Sequence, residues 1–133
     1  MLNRVVFSSM SDHWSTPTSV YDALHKEFDF TFDPCPLGSA QDGSKIAWKG
    51  RVFCNPPYSD IGGFIRRGLF HLANHDAELL VFLLPARTDM AWFHDYALGR
   101  AEIRFIRGRL KFGGATNSAP FPSMVCVWRE WAL

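Results

Sequence analysis

Four consecutive residues, Asn55-Pro56-Pro57-Tyr58, follow the apolar stretch RVFC and precede a segment of helical periodicity. In open α/β sheets the carboxyl end of a strand is where ligands gather. The chemistry these residue types suit is activation of a conjugated amino group. An exocyclic amine such as that of adenine is a poor nucleophile, because its lone pair is delocalised into the ring. The side-chain carbonyl of Asn55 and the backbone carbonyl of Pro56 can each accept one amino hydrogen. That draws the nitrogen toward tetrahedral geometry and frees its lone pair for in-line attack on an electrophilic methyl group. Pro56 and Pro57 fix φ and carry no N–H, so they stiffen the turn. Tyr58 supplies a flat ring on which a flipped-out base can stack, worth roughly 1–3 kcal/mol per base. The plain alternative is an Asn-Pro turn with Tyr58 in ordinary packing.

The elements that would position this turn are legible from patterning. A chain of 133 residues with 47% apolar and 15% aromatic content suits one folded domain over residues 1–133 rather than a disordered segment. Thr16-Pro17 followed by SVYDALHKEF predicts a helix over 17–28, with Val20, Leu24 and Phe28 on its buried face. FDFTF and RVFC read as short strands, and IGGFIRRGLFHLANH as a helix with Phe64, Leu69 and Leu72 inward and Arg66-Arg67 outward. The continuous apolar run ELLVFLLP (78–85) predicts a central strand buried on both faces of a parallel sheet. DMAWFHDYALGR reads as a third helix, and AEIRFI and SMVCVW as further strands, separated by the polar, glycine-rich KFGGATNSAPFP. Strands alternating with helices imply an α/β layered fold.

Net charge is only +1, which neither demands nor excludes a polyanionic partner. Its distribution is more informative. Arg100, Arg104, Arg107, Arg109 and Lys111 cluster around AEIRFI, and Arg87 follows the central strand; such a cluster suits phosphates, or equally a solvated edge strand kept from aggregating by charge. Cys35, Cys54 and Cys126 lack metal-ligand spacing and read as small core residues. His71 and His75 are spaced i, i+4, but no third ligand follows, so a solvated helix end is expected and no metal. No stretch approaches the roughly 20 apolar residues of a membrane span, and the expectation is a cytoplasmic protein.

Taken in order, WSTP (14–17), FDPCPLG (32–38), VFCNPPYS (52–59), LLPART (83–88) and RGRLKF (107–112) resemble the phage-encoded Dam-type DNA N6-adenine methyltransferases. The resemblance covers roughly residues 14–128, and the order of its elements is similar to the gamma class of amino-methyltransferases. It implies a reduced Rossmann-like, S-adenosylmethionine-dependent methyltransferase fold and transfer of a methyl group to the N6 amino group of adenine in DNA, inside a bacterial host. It also implies site roles. Asn55, Pro56, Pro57 and Tyr58 would be catalytic. Thr16, Pro17, Asp33, Pro34 and Gly38 would face the methionine part of the cofactor, with Asp33 near its cationic amino group. A carboxylate capping the local turn is the other reading of Asp33. Arg87, Arg107, Arg109 and Lys111 would contact DNA.

One departure stands out. Only about twenty residues lie between Asp33 and Asn55, whereas the full sheet places two more strands there, each βαβ unit needing roughly 30 residues. Those strands cannot fit. The acidic residue that usually holds the cofactor ribose is therefore unassigned, with Asp42 the nearest candidate and Trp48 a candidate wall for the cofactor adenine. Asp42-Gly43 reads equally as a plain turn and Trp48 as a core residue. No separate target-recognition domain fits in this length. Two competing functions use the same features: methylation of glutamine amides in protein, whose nitrogen poses the same lone-pair problem, and a catalytically silent DNA-binding or antirestriction protein of the same shape.

Overall fold

The computed structural model describes residues 15–36, 42–111 and 121–130. Strand β1 (Gly50–Cys54) pairs in parallel with β2 (Ala77–Pro85). On the other side of β2 lies β4 (Ser123–Arg129), antiparallel, and β3 (Glu102–Phe105) is antiparallel to β4 in turn. The sheet order is β1-β2-β4-β3, so β2 and β3 run the same way with β4 inserted between them.

The apolar run of β2 is explained by two-sided packing. Leu80, Phe82 and Leu84 enter one core cluster with helix α2 (Ile61–Ala73), while Val81 and Leu83 enter a second cluster with helix α1 (Thr18–Phe28). Neighbouring strands alternate in the same way: Val52 and Cys54 against Phe53, and Met124, Cys126 and Trp128 against Val125 and Val127. A period of two thus sorts each strand between two covered faces.

Pro17 occupies the N-cap position of α1, and the helix closes at Asp29 in the left-handed region (φ 53°), whose N–H donates to the His25 carbonyl. Leu24 is the buried anchor of this helix, with Val20 and Phe28 packed at the border of the cluster. Asp60 caps α2 by accepting from the Gly63 N–H at 3.2 Å. Helix α2 comes close to the sheet through Gly68, where a Cβ would lie 2.7 Å from the Trp48 ring. Trp48 is 1% exposed, stacks on Phe82 with ring centroids 5.9 Å apart, and donates its Nε1–H to the Gly43 carbonyl at 2.7 Å. Trp48 is therefore a core pillar and not a wall open to a cofactor.

Three expectations change. The FDFTF strand is reduced to a single parallel bridge, Phe32 to Val52, because Phe28 belongs to α1 and the Asp33 turn begins directly after Phe32. The third helix is one short α turn that opens into a π-helical turn, Phe93–Ala97, closed by Leu98 N–H donating to the Phe93 carbonyl at 2.8 Å. This wider turn buries the adjacent Trp92 and Phe93 together with Ala97, before Gly99 (φ +77°) ends it. The sheet is mixed rather than parallel, since β4 returns antiparallel beside β2.

Candidate active site

β1 ends at Cys54, so Asn55 emerges at the carboxyl edge of the two parallel strands. Asn55 is 4% exposed, and its Nδ2 donates to the Thr16 Oγ1 at 3.0 Å. That bond fixes the amide plane and turns the carbonyl end, Oδ1, away from Thr16. Pro56 is buried behind it. Pro57 (φ −63°, ψ 140°) then leads into a 3-10 turn, Tyr58–Asp60, which runs directly into α2. The tetrapeptide is thus held at both ends by regular elements.

Tyr58 lies edge-on to Phe121, with centroids 5.1 Å apart and planes at 82°. Burial pushes its hydroxyl pKa well above the ordinary phenol value, so the ring stays neutral. Tyr58, Pro85, Arg87, Met90, Trp92 and Phe121 enclose an open pocket of about 260 Å³. The strand register explains their convergence. Pro85 at the carboxyl end of β2 faces Ser123 at the start of β4, which brings Arg87 and Phe121 to the same edge as Tyr58. Phe121 was hidden in sequence by the polar segment KFGGATNSAPFP; its one visible signal is an aromatic flanked by prolines next to a strand.

Asp33 ends the Phe32 bridge, and its exposed side chain accepts the Cys35 N–H at 2.8 Å through Oδ1. The next residue, Pro34, is buried, and its carbonyl packs so closely on Gly43 that a Cβ there would lie 2.1 Å away. Asp42 caps the short turn Gly43–Lys45, its Oδ1 accepting from Ser44 N–H (3.0 Å) and Ser44 Oγ–H (2.6 Å), which lowers its pKa. Gly38 lies outside the described residues.

The basic cluster divides. Arg104 is engaged by both carboxylate oxygens of Glu27 at 2.7 Å each and by Glu102, and its guanidinium lies 5.3 Å from the Phe28 ring centroid. It serves to tie β3 to α1. Arg100 precedes β3 at the opposite edge of the sheet. Ile106 N–H, in contrast, donates to the Ser123 carbonyl at 3.0 Å, so Arg107, Arg109 and Lys111 leave the sheet at the edge that carries Pro85 and Arg87. Arg87, Arg107, Arg109 and Lys111 are all exposed.

Cys54 and Cys126 lie in the core as expected, and Cys35 is half-buried against it. Burial raises the Cys54 thiol far above its usual value and pushes Cys126 up to about 12, which leaves neither as a thiolate. His71 differs from the solvated helix end foreseen: it is 6% exposed, with Nδ1 2.8 Å from Asp76 Oδ2, while exposed His75 meets Glu130. Among the described residues no group of His, Cys, Asp and Glu is arranged to hold a metal ion, and no helix is long and apolar enough to cross a membrane.

Compared with known families, residues 5–133 match the model of the family described as DNA N-6-adenine-methyltransferase (Dam). The match spans nearly the whole chain, and the chain belongs to that family. No curated protein matches it.

Proposed function

We propose that this member of the DNA N-6-adenine-methyltransferase family methylates the amino group of a flipped-out adenine in DNA, with S-adenosylmethionine as donor and Asn55 to Tyr58 as the catalytic turn. The observation that carries this reading is the buried Asn55 amide, held by Thr16, at the head of the turn whose Tyr58 walls a pocket together with Phe121. Asn55 Oδ1 and the Pro56 carbonyl accept the two amino hydrogens, and the rigid prolines hold those acceptors at fixed spacing. The Tyr58 face holds the base, and Phe121 braces Tyr58 at right angles. Trp92 and Pro85 give the pocket apolar walls, and the exposed Arg87 lines the same pocket.

The donor set suits the methionine end of S-adenosylmethionine: the exposed Asp33 carboxylate, fixed by the Cys35 N–H, complements a cationic amino group. Pro34 follows Asp33 in the chain, and Thr16, which precedes Pro17, meets Asn55. When bound, S-adenosylmethionine supplies an electrophilic methyl group. Asp42 remains the candidate for the ribose, although one of its oxygens already caps the Ser44 turn.

Base capture is tested at Tyr58. A 2-aminopurine at the target position should brighten on binding wild type as it leaves the stack. Tyr58→Phe should retain capture, whereas Tyr58→Ala should weaken it by roughly 1–3 kcal/mol. Equal affinity of wild type and Tyr58→Ala for the flipped base would contradict stacking on this ring.

DNA affinity should depend on salt through Arg107, Arg109 and Lys111, because log K falls with log salt by about 0.9 for each phosphate neutralised. Replacing all three by glutamine should flatten that slope by about 2–3. A slope unchanged in the triple variant would move the phosphate contacts to another face.

A further inference from the structure

We infer that Arg87 binds the phosphate of the target nucleotide itself, and so acts in capture of the flipped base rather than in holding the duplex. The inference rests on the stacking of a flipped adenine against Tyr58 given above. Arg87 lines the pocket together with Tyr58, Trp92 and Phe121, and it is the one charged residue on that lining. Its guanidinium carries only donors. A nucleotide turned into the pocket brings its base to the Tyr58 ring and trails a phosphate, whose oxygens accept, at the side where solvent still reaches Arg87. Arginine and phosphate are matched in charge and in hydrogen bonding.

The loop that carries Arg87 is pinned without DNA. Ala86 N–H donates to the Pro122 carbonyl at 2.9 Å, Arg87 N–H to the Pro85 carbonyl at 2.8 Å, and His94 Nε2 lies 2.7 Å from the Thr88 carbonyl. A carbonyl only accepts, so that ring nitrogen carries the proton and donates. The guanidinium itself is left unspent. Among the described residues no carboxylate pairs with Arg87, whereas Arg51 is tied to Asp29 and Glu78, Arg104 to Glu27 and Glu102, and Arg129 to Glu102. No internal ion pair must break before it takes a phosphate. Arg107, Arg109 and Lys111 leave the sheet at the same edge but line no part of this pocket, so the phosphates of the flanking duplex fall to them.

The test reads the flipping equilibrium of bound DNA from 2-aminopurine at the target position, using duplexes in which a neutral methylphosphonate replaces the phosphate on the 5′ or the 3′ side of that base. Wild type should lose about ten- to a hundredfold in flipping on one of the two modified duplexes, the loss expected for one hydrogen-bonded contact to a charged group. Arg87→Gln should show the same loss on unmodified DNA and no further loss on that modified duplex, because the two changes remove one interaction. Its Kd for a duplex of G·C pairs alone should stay within about threefold of wild type, and Arg87→Lys should recover part of the flipping. Equal flipping by wild type and Arg87→Gln, or losses that add on both modified duplexes, would overturn the inference and leave capture on Tyr58 standing. A loss of affinity for the G·C duplex as large as the loss in flipping would also overturn it, and would place Arg87 with Arg107 and Arg109 on the duplex. If the 2-aminopurine signal does not change even with wild type and unmodified DNA, base flipping in the proposed function fails and this inference fails with it.

Discussion

Replacing Asn55 by alanine should lower kcat by roughly 10²–10³, the loss typical of removing one well-placed polar group at a centre where charge redistributes. The reason lies in timing. The Asn55 carbonyl meets the amino hydrogens most strongly as the nitrogen becomes tetrahedral, so its contribution falls on the transition state and not on the ground state. Binding of S-adenosylmethionine and of DNA should therefore change little, and kcat and kcat/KM should drop together. The side chain is short and its backbone sits between β1 and a proline, so truncation should leave the fold intact. Steady-state kinetics with a calorimetric cofactor titration on the same preparation separates the two effects. A correctly folded Asn55→Ala protein with full activity would reduce Asn55-Pro56-Pro57-Tyr58 to a turn that only resembles a catalytic site.

The second large effect is expected at Trp48, and it is one of stability. Trp48→Ala removes a ring packed against Phe64 and Phe82 and leaves the Gly43 carbonyl without its indole donor. Large-to-small core changes of this kind cost about 3–5 kcal/mol, a large share of the roughly 5–15 kcal/mol that holds a typical domain together. Gly68 sharpens the prediction, because α2 sits against the sheet only as closely as the flat Trp48 ring lets it. Urea unfolding should show a lower midpoint for Trp48→Ala, with Trp48→Phe between it and wild type. If Trp48 formed the wall of a cofactor pocket instead, the variant would keep its midpoint and lose affinity for S-adenosylmethionine.

The proposed catalytic turn is legible as a motif, because the chemistry assigned to Asn-Pro-Pro-Tyr would reside in its own four side chains and backbone carbonyls. The two-sided burial of β2 was equally plain, since an unbroken apolar run admits few other readings. What sequence did not show was pairing at a distance. Nothing local to Thr16 announces its bond to Asn55, and nothing in Phe121 announces that β4 will set it against Tyr58. Charge alone did not sort the cluster: Arg104 lies in the same basic stretch as Arg107, yet Glu27 of α1 takes it up. Periodicity also could not distinguish an α-helix from the π-helical turn at Phe93–Ala97, where adjacent aromatics are buried together.

Methyl transfer to adenine in DNA can be measured directly. The purified protein is incubated with methyl-labelled S-adenosylmethionine and several unmethylated duplex DNAs, a protein substrate is offered in parallel, and the DNA is digested to nucleosides for identification of the labelled product. Label is expected in N6-methyladenine, dependent on Asn55, with none on protein glutamine. Label on the protein substrate alone, or no transfer to any DNA by a protein that binds DNA, would contradict it.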